Sequence, residues 1–171
     1  MKLNLGTNFL FPTAVTITKF DITDNIVEQA IGFGEITDDL QQQVVKGFDE
    51  HLKSTLDKTT SDWYHYRLQS WVNKYEKGHA GMEMHTHAGA QLSAIAILEA
   101  GRGGELVFQD PRSFASRGYD LNFRPLFNNF TYEGNQGDLI IFPSFLYHSV
   151  RPVNMFRVSA AFDMYLLTGD F

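Results

Sequence analysis

Short apolar segments separated by turn residues fill the chain after residue 67, and they constrain the fold more than any other feature. They read LQSWVNKY, GMEMHTH, LSAIAIL, GELVFQ, GDLIIFP and MFRVSAAFDMYL, with Gly, Pro or Asn signals between them. Apolar runs of this length, bounded by turn residues, are typical of β-strands in antiparallel sheets. The pattern predicts a β-sandwich or jelly roll over this part of the chain.

The first third of the chain has a helical pattern after one short strand, TAVTITKF. In the next segment, Thr23 or Asp24 suits the N-cap of a helix, and Gly32 and Gly34 are stop signals. Residues 37–60 carry a stripe of apolar residues four apart, which predicts a helix that packs one face on a sheet. The stripe consists of Leu40, Val44, Phe48, Leu52 and Leu56.

The chain of 171 residues contains no internal repeat or low-complexity tract, so we expect one domain spanning residues 1–171. The expected fold class is α+β and mainly β, a jelly roll with supporting N-terminal helices. Residues 111–136 form a long connection, which predicts a substrate lid, a binding loop or a dimer contact. Its aromatic residues include Phe114, Tyr119, Phe123, Phe127 and Phe130.

Charge and composition exclude several classes of partner. The formal net charge is −6, and the 14 Lys and Arg residues form no basic stripe, which argues against broad nucleic-acid binding. No apolar run approaches the roughly 20 residues that cross a bilayer, and the N-terminus lacks the apolar core of a signal peptide. The sequence has no cysteine, which fits a reducing compartment. We expect a cytoplasmic protein with no membrane partner.

Two histidines one residue apart, His85 and His87, are the first candidate metal ligands. If this segment is a strand, both side chains project from the same face, together with Glu83, because successive side chains alternate. Two imidazoles at that spacing can bind one ion, and Fe(II) accepts imidazole readily. The pair alone also fits two surface histidines.

A second segment near the C-terminus strengthens the metal hypothesis. His148 follows an apolar strand that ends in Pro143, so it could complete a three-ligand site from an opposing strand. Arg157 and Ser159 come nine and eleven residues later, on one face of an apolar strand. An inward arginine fork suits a ligand carboxylate, although an internal ion pair of Arg157 with Asp163 or Glu83 is an alternative.

This order of motifs resembles a little-characterised family of 2-oxoglutarate/Fe(II)-dependent oxygenases of bacteria and phages, related to prolyl hydroxylases. The resemblance covers nearly the whole chain, and its last two motifs are the most specific. The matching segments are FPTA (11–14), WVN (71–73), HTHAGAQLSA (85–94), FQDPR (108–112), GDLIIFPSFLYH (137–148) and RVS (157–159). It implies a double-stranded β-helix, the jelly roll that cupins share.

The resemblance also implies cofactors and roles. The protein would use Fe(II), 2-oxoglutarate and O2, and would form succinate and CO2 while it oxidises a small-molecule or peptide substrate. Hydroxylation of a protein or amino-acid side chain is one option for this reaction. His85 and His148 would bind iron. Arg157 and Ser159 would hold the far carboxylate of 2-oxoglutarate, with Tyr75 as a further contact. A homodimer is compatible with the sequence.

Three departures from the family pattern concern the metal site and its surroundings. His87 stands where such oxygenases usually have Asp or Glu, while Ile97 and Ala88 replace a tyrosine and a proline. His87 could bind iron directly, which we favour, or lie beside the metal and leave a position open. In a third arrangement Glu83 would lend its carboxylate.

Two other functions are alternatives. A cupin-type metalloprotein with a three-histidine site would explain His87, with Gln91 near the usual position of its fourth ligand, but leaves Arg157 and Ser159 without a role. A non-catalytic jelly-roll binding module is the second. For the FQDPR segment we expect Asp110 and Arg112 to form an ion pair that stabilises a turn.

Overall fold

The computed structural model describes residues 12–112 and 129–168, in which strands dominate. Helix α1 covers Asp24–Glu28 and continues as a π-helical turn over Gln29–Phe33; helix α2 covers Asp38–Leu56, and a 3₁₀ turn covers Thr60–Asp62. The strands are β1 (Thr16–Lys19), β2 (His65–Tyr75), β3 (Met82–His85), β4 (Leu92–Glu99), β5 (Leu106–Phe108), β6 (Phe130–Tyr132), β7 (Asp138–Pro143), β8 (His148–Val150) and β9 (Arg157–Leu167).

Two antiparallel sheets make up the jelly roll. The larger sheet has the strand order β1-β7-β4-β9-β2, and the smaller sheet has the order β3-β8-β5-β6. From β2 to β9 the chain crosses from one sheet to the other at each connection except β5 to β6, which pair as neighbours. This winding is that of a double-stranded β-helix, so the predicted fold class is confirmed.

Alternating residues of the larger sheet serve two separate cores. On β4, Ala94, Ala96 and Leu98 belong to the core that the helices cover, whereas Ile95 and Ile97 belong to the core between the sheets. This alternation follows from the two-residue period of a strand. The helices therefore close one face of the larger sheet and leave the other face for the smaller sheet and the cavity between them.

The predicted helix boundaries and buried stripe are largely confirmed. The hydroxyl of Thr23 accepts from the Ile26 N–H at 3.3 Å, and Gly34 ends the helical segment with φ +73°. Four members of the stripe on α2 are buried, but Leu56 is 59% exposed, so its predicted burial is wrong. A four-residue step turns an α-helix by about 400°, so each step drifts by about 40°, and the fifth residue leaves the buried face.

The connection predicted over residues 111–136 is shorter than expected. Phe130–Tyr132 is strand β6, and Phe130 is half exposed, with its ring stacked against Phe108 at 6.3 Å between centroids. The other aromatic residues of the predicted lid, Phe114, Tyr119, Phe123 and Phe127, lie outside the described residues. In the described ranges, no helix has the length and apolar character needed to cross a bilayer.

Candidate active site

A cavity of about 340 Å³ opens between the two sheets, and all six predicted site residues line it. The larger sheet supplies its floor through alternate residues of the neighbouring strands β2 and β9. The smaller sheet and the loop after β3 supply histidines to its wall. The two-residue period of the strands explains why these side chains point into one space. The six residues are His85, His87, His148, Arg157, Ser159 and Tyr75.

Three histidines form the centre of the cavity wall. His85 ends β3 and His148 begins β8, and these two residues are direct partners across the antiparallel pair. One ligand atom from each of His85, His87 and His148 can be chosen so that all three lie within 4.8 Å of one another. Their ring centroids are 4.4 to 5.2 Å apart. This spacing allows three imidazoles to occupy adjacent positions around one metal ion.

The Nδ1 atom of each ring already has a hydrogen-bond partner. Nδ1 of His85 lies 2.7 Å from the Glu83 carbonyl, and Nδ1 of His148 lies 3.0 Å from the Leu146 carbonyl. Nδ1 of His87 lies 2.6 Å from Oδ1 of Asp163. Since these oxygens accept, each neutral ring carries its proton on Nδ1 and keeps the Nε2 lone pair free for a metal.

His87 reaches the cluster by a route that the sequence pattern does not predict. Strand β3 ends at His85, so the two-residue strand period does not extend to His87. The His87 backbone N–H donates to the Ser144 carbonyl at 3.1 Å, and its ring stacks on Trp71 with 5.5 Å between centroids. Both histidines line the same cavity, as predicted. The predicted reason, one shared strand face, is wrong, because contacts of the loop after β3 place His87.

The Glu83 carboxylate does not take part in the cluster. Glu83 is exposed, and a bulge-like register shift lies between Met82 and His85 in β3. This irregularity breaks the regular alternation of side chains, which had predicted Glu83 on the same face as the two histidines. Glu83 contributes only its backbone carbonyl, which accepts from His85.

Burial keeps His148 neutral. Its side chain is 2% exposed, and burial among apolar groups lowers its pKa from 6.5 to about 4, helped by the neighbouring His85 and His87 rings. A buried imidazole avoids the charged form because a low-dielectric surrounding solvates it poorly. Metal ligation needs this neutral form, so His148 is ready to bind at physiological pH.

Arg157 is a buried cation at the other end of the cavity. It is 3% exposed, and its guanidinium donates to the Ser159 hydroxyl at 3.1 Å. Tyr75 lies opposite Arg157 in the β2–β9 register, and its ring centroid is 5.8 Å from the guanidinium carbon. Burial lowers the pKa of Arg157 and raises that of Tyr75. In residues 12–112 and 129–168, no carboxylate pairs with Arg157.

The alternative of an internal ion pair for Arg157 therefore fails in the described structure. Asp163 bonds to His87 and Ser93, and Glu83 is exposed. A buried arginine without an anion is costly, which is a reason to expect an anionic ligand in the cavity. Gly104 makes room for the Arg157 side chain, because a Cβ at Gly104 would lie 2.7 Å from Cδ of Arg157.

Asp163 contacts the histidine cluster, which the sequence reasoning missed, since it considered Asp163 only as an ion-pair partner of Arg157. It lies on β9 two residues past Ala161, and both line the cavity together with Arg157 and Ser159. The alternation 157, 159, 161, 163 was visible in the sequence, so the inward orientation of Asp163 could have been predicted. Its bond to His87 could not, because that contact joins residues 76 positions apart.

The two remaining predicted contacts lie outside the histidine cluster. The predicted Asp110–Arg112 pair is confirmed, with Nε of Arg112 2.9 Å from Oδ1 of Asp110. Gln91, the cupin-like candidate, turns away from the histidines. Its side-chain oxygen accepts from the Leu166 backbone N–H at 2.8 Å. The fourth position of a cupin site is therefore not formed by Gln91.

Solved structures with the same fold include several prolyl hydroxylases. The chain is similar to the viral collagen prolyl hydroxylase of Paramecium Bursaria Chlorella virus-1, with 12% identity and TM-score 0.57 over 90% of this chain and 96% of that one. It is also similar to a prolyl-4-hydroxylase of Pseudomonas putida, with 16% identity and TM-score 0.56 over 92% and 88%. At these low identities, the structural similarity shows a shared fold.

A third structure is a prolyl hydroxylase of Trichoplax adhaerens in complex with a hypoxia inducible factor peptide fragment. It has 12% identity and TM-score 0.52 over 90% of this chain and 63% of that one. No curated protein matches the sequence significantly.

A family model described as "Putative 2OG-Fe(II) oxygenase" matches residues 69–163, which is more than half of the chain. The matched range begins in β2 and ends in β9, and it contains all six predicted site residues. The family resemblance predicted from the sequence is thereby confirmed. The protein belongs to the 2OG-Fe(II) oxygenase family and is an oxygenase that uses Fe(II), 2-oxoglutarate and O2.

Proposed function

We propose that this oxygenase is a hydroxylase of a peptide or amino-acid side chain, with iron held by His85, His87 and His148. The observation that carries the proposal is the convergence of three histidine ligand atoms in a cavity that also holds a buried arginine with no anionic partner in the described ranges. Imidazole nitrogens suit Fe(II), and an unpaired buried guanidinium suits a carboxylate. The donor set therefore fits both groups.

The protein side chains divide the chemistry between two ends of the cavity. When bound, Fe(II) and 2-oxoglutarate supply the oxidising chemistry through decarboxylation of 2-oxoglutarate to succinate and CO2 with O2. His85, His87 and His148 fix the metal on one wall. Arg157 would bind the far carboxylate of 2-oxoglutarate through its fork, with Ser159 orienting the guanidinium and Tyr75 contributing a hydroxyl.

The primary substrate would approach from the end of the cavity away from Arg157. Gln69, Trp71 and Tyr165 line that end, and the Tyr165 hydroxyl donates to the Gln69 side-chain oxygen at 3.4 Å. Aromatic walls with one amide suit a neutral or amide-bearing group such as a peptide segment. The net charge of −6 supports a substrate other than nucleic acid, and the lack of cysteine supports a reducing compartment such as the cytoplasm.

An anaerobic titration tests the metal and cosubstrate assignment. Fe(II) with 2-oxoglutarate should give a weak visible charge-transfer band in the wild-type protein, and His87→Ala should lower the bound iron per chain. Full iron occupancy in His87→Ala would contradict direct coordination by this residue. A screen for succinate release over peptides, amino acids and small acids then identifies the substrate. A protein that gives neither band nor succinate would refute the proposed function.

A further inference from the structure

Asp163 is a buried carboxylate in contact with a histidine cluster that contains none of its own within the described ranges. Asp163 is 5% exposed, and among the described residues no Lys or Arg pairs with it; the side chain that forms an ion-pair contact with it there is His87. The cluster contains three imidazoles and no carboxylate among the described residues. A buried carboxylate without a cation is costly, and a divalent metal on three neutral ligands has no negative ligand to offset its charge. The His87 imidazole connects the Asp163 carboxylate to the candidate metal site.

The contact between Asp163 and His87 is direct and short. Oδ1 of Asp163 accepts from Nδ1 of His87 at 2.6 Å, which leaves Nε2 for the metal side of the ring. His87 needs this support because it lies in a loop beyond β3. Trp71 restrains the ring plane, stacking at an interplanar angle of 25°, while the bond to Asp163 fixes the rotation of the ring and its tautomer.

A buried hydroxyl chain holds Asp163 in turn. Ser93 donates to Oδ1 of Asp163 at 2.7 Å, and the Ser144 hydroxyl lies 2.8 Å from that of Ser93. Both serines are at most 1% exposed, and Ser93 is the direct partner of Asp163 in the β4–β9 register. The carboxylate is therefore fixed by two central strands, which position a group more rigidly than a loop does.

We propose that Asp163 is a positioning residue of the iron site. It orients His87 through the bond to Nδ1. It also supplies negative charge from outside the coordination sphere, because His87 stands where related oxygenases have a carboxylate ligand. The inference rests on the proposed role of His87 as an iron ligand. A carboxylate behind a ligating histidine raises the basicity of the ring, and its loss typically weakens metal affinity by about 10–100-fold.

Asp163→Asn tests the inference because it keeps a side chain of the same shape and removes the charge. We expect Fe(II) affinity without 2-oxoglutarate, measured anaerobically by competition with a chromogenic chelator, to fall by about 10–100-fold. The charge-transfer band of the Fe(II) and 2-oxoglutarate complex should move to shorter wavelength, because less electron density on iron makes the metal harder to oxidise. The melting temperature of the metal-free variant should be unchanged or higher, since a buried charge is gone.

Asp138→Asn is the matched control. Asp138 is a second buried carboxylate, 1% exposed, but it pairs with Lys19 and accepts from the Tyr132 hydroxyl. Its replacement should lower the melting temperature and leave Fe(II) affinity unchanged. The same pattern in Asp163→Asn, lower stability with wild-type Fe(II) affinity, would overturn the inference and assign Asp163 a purely structural role.

A double-variant cycle decides whether Asp163 acts through His87. Asp163→Asn should weaken Fe(II) binding in the wild-type background and have a clearly smaller effect in His87→Ala, because the hydrogen bond that joins Asp163 to the metal ligand is already lost. Equal losses in both backgrounds would contradict the inference. Failure of the proposed function looks different: the wild-type protein would not bind Fe(II), or His85→Ala and His148→Ala would retain full affinity.

Discussion

Replacing Arg157 with methionine should separate the binding role of the guanidinium from its cost to the fold. Arg157 is 3% exposed, its hydrogen bond goes to the neutral Ser159, and no carboxylate of the described residues neutralises it. Burial of a single ion costs on the order of several kcal/mol, and an apolar residue of similar volume removes that cost. We therefore expect Arg157→Met without ligand to be at least as stable as the wild type.

The response to 2-oxoglutarate should change in the opposite direction. A ligand at 100 times its Kd stabilises a protein by about 2.7 kcal/mol. In a chain of 171 residues, 1 kcal/mol corresponds to roughly 2–4 °C in Tm, so the wild type should gain roughly 5–11 °C. Without the cationic fork, Arg157→Met should lose this gain.

Differential scanning fluorimetry with Mn(II) in place of Fe(II) measures both effects. Each variant is melted with metal alone and with metal plus 2-oxoglutarate. Arg157→Lys keeps the charge but not the fork and should show a reduced gain, whereas Arg151→Met, at an exposed position, should behave like the wild type. The reasoning is refuted if Arg157→Met melts several degrees lower without ligand and still gains stability from 2-oxoglutarate.

Two further predictions concern His148 and Gly104. The pKa of His148 is about 4 in the folded chain and about 6.5 when unfolded, so between these values the unfolded chain binds the extra proton. The free energy of unfolding of the metal-free protein, measured by urea denaturation, should therefore be highest above pH 6.5 and fall by on the order of 3 kcal/mol towards pH 4. A His148→Gln variant with the same dependence on pH would contradict this prediction. Gly104→Ala places a Cβ 2.7 Å from Cδ of Arg157 at φ +73°. It should weaken 2-oxoglutarate binding about tenfold, or ~1.4 kcal/mol, by calorimetry, with Fe(II) affinity unchanged; equal 2-oxoglutarate affinity would argue against it.

Several site residues could be predicted because their signals are local. The inward face shared by Arg157 and Ser159 follows from the period of one strand, and both residues lie buried and bonded to each other. His148 begins β8 as expected from the apolar run and proline before it. Each of these inferences needs only the residues of one element and its neighbours.

Other features could not be predicted because they depend on where elements begin, end or bulge. The strand period suggested one face for Glu83, His85 and His87, but β3 ends at His85 and its register is irregular. Small differences in element length decide such positions, and local propensities fix those lengths poorly.

The sequence by itself determined the jelly-roll class, the order of the motifs and the identity of the histidines and the arginine. Those properties follow from periodicity and residue chemistry. Only the tertiary structure decided what replaces the missing carboxylate. The register of β4 with β9 sets Ser93 opposite Asp163, and the loop after β3 brings His87 within 2.6 Å of it. Contacts between distant residues depend on the pairing of whole strands, which no local pattern specifies.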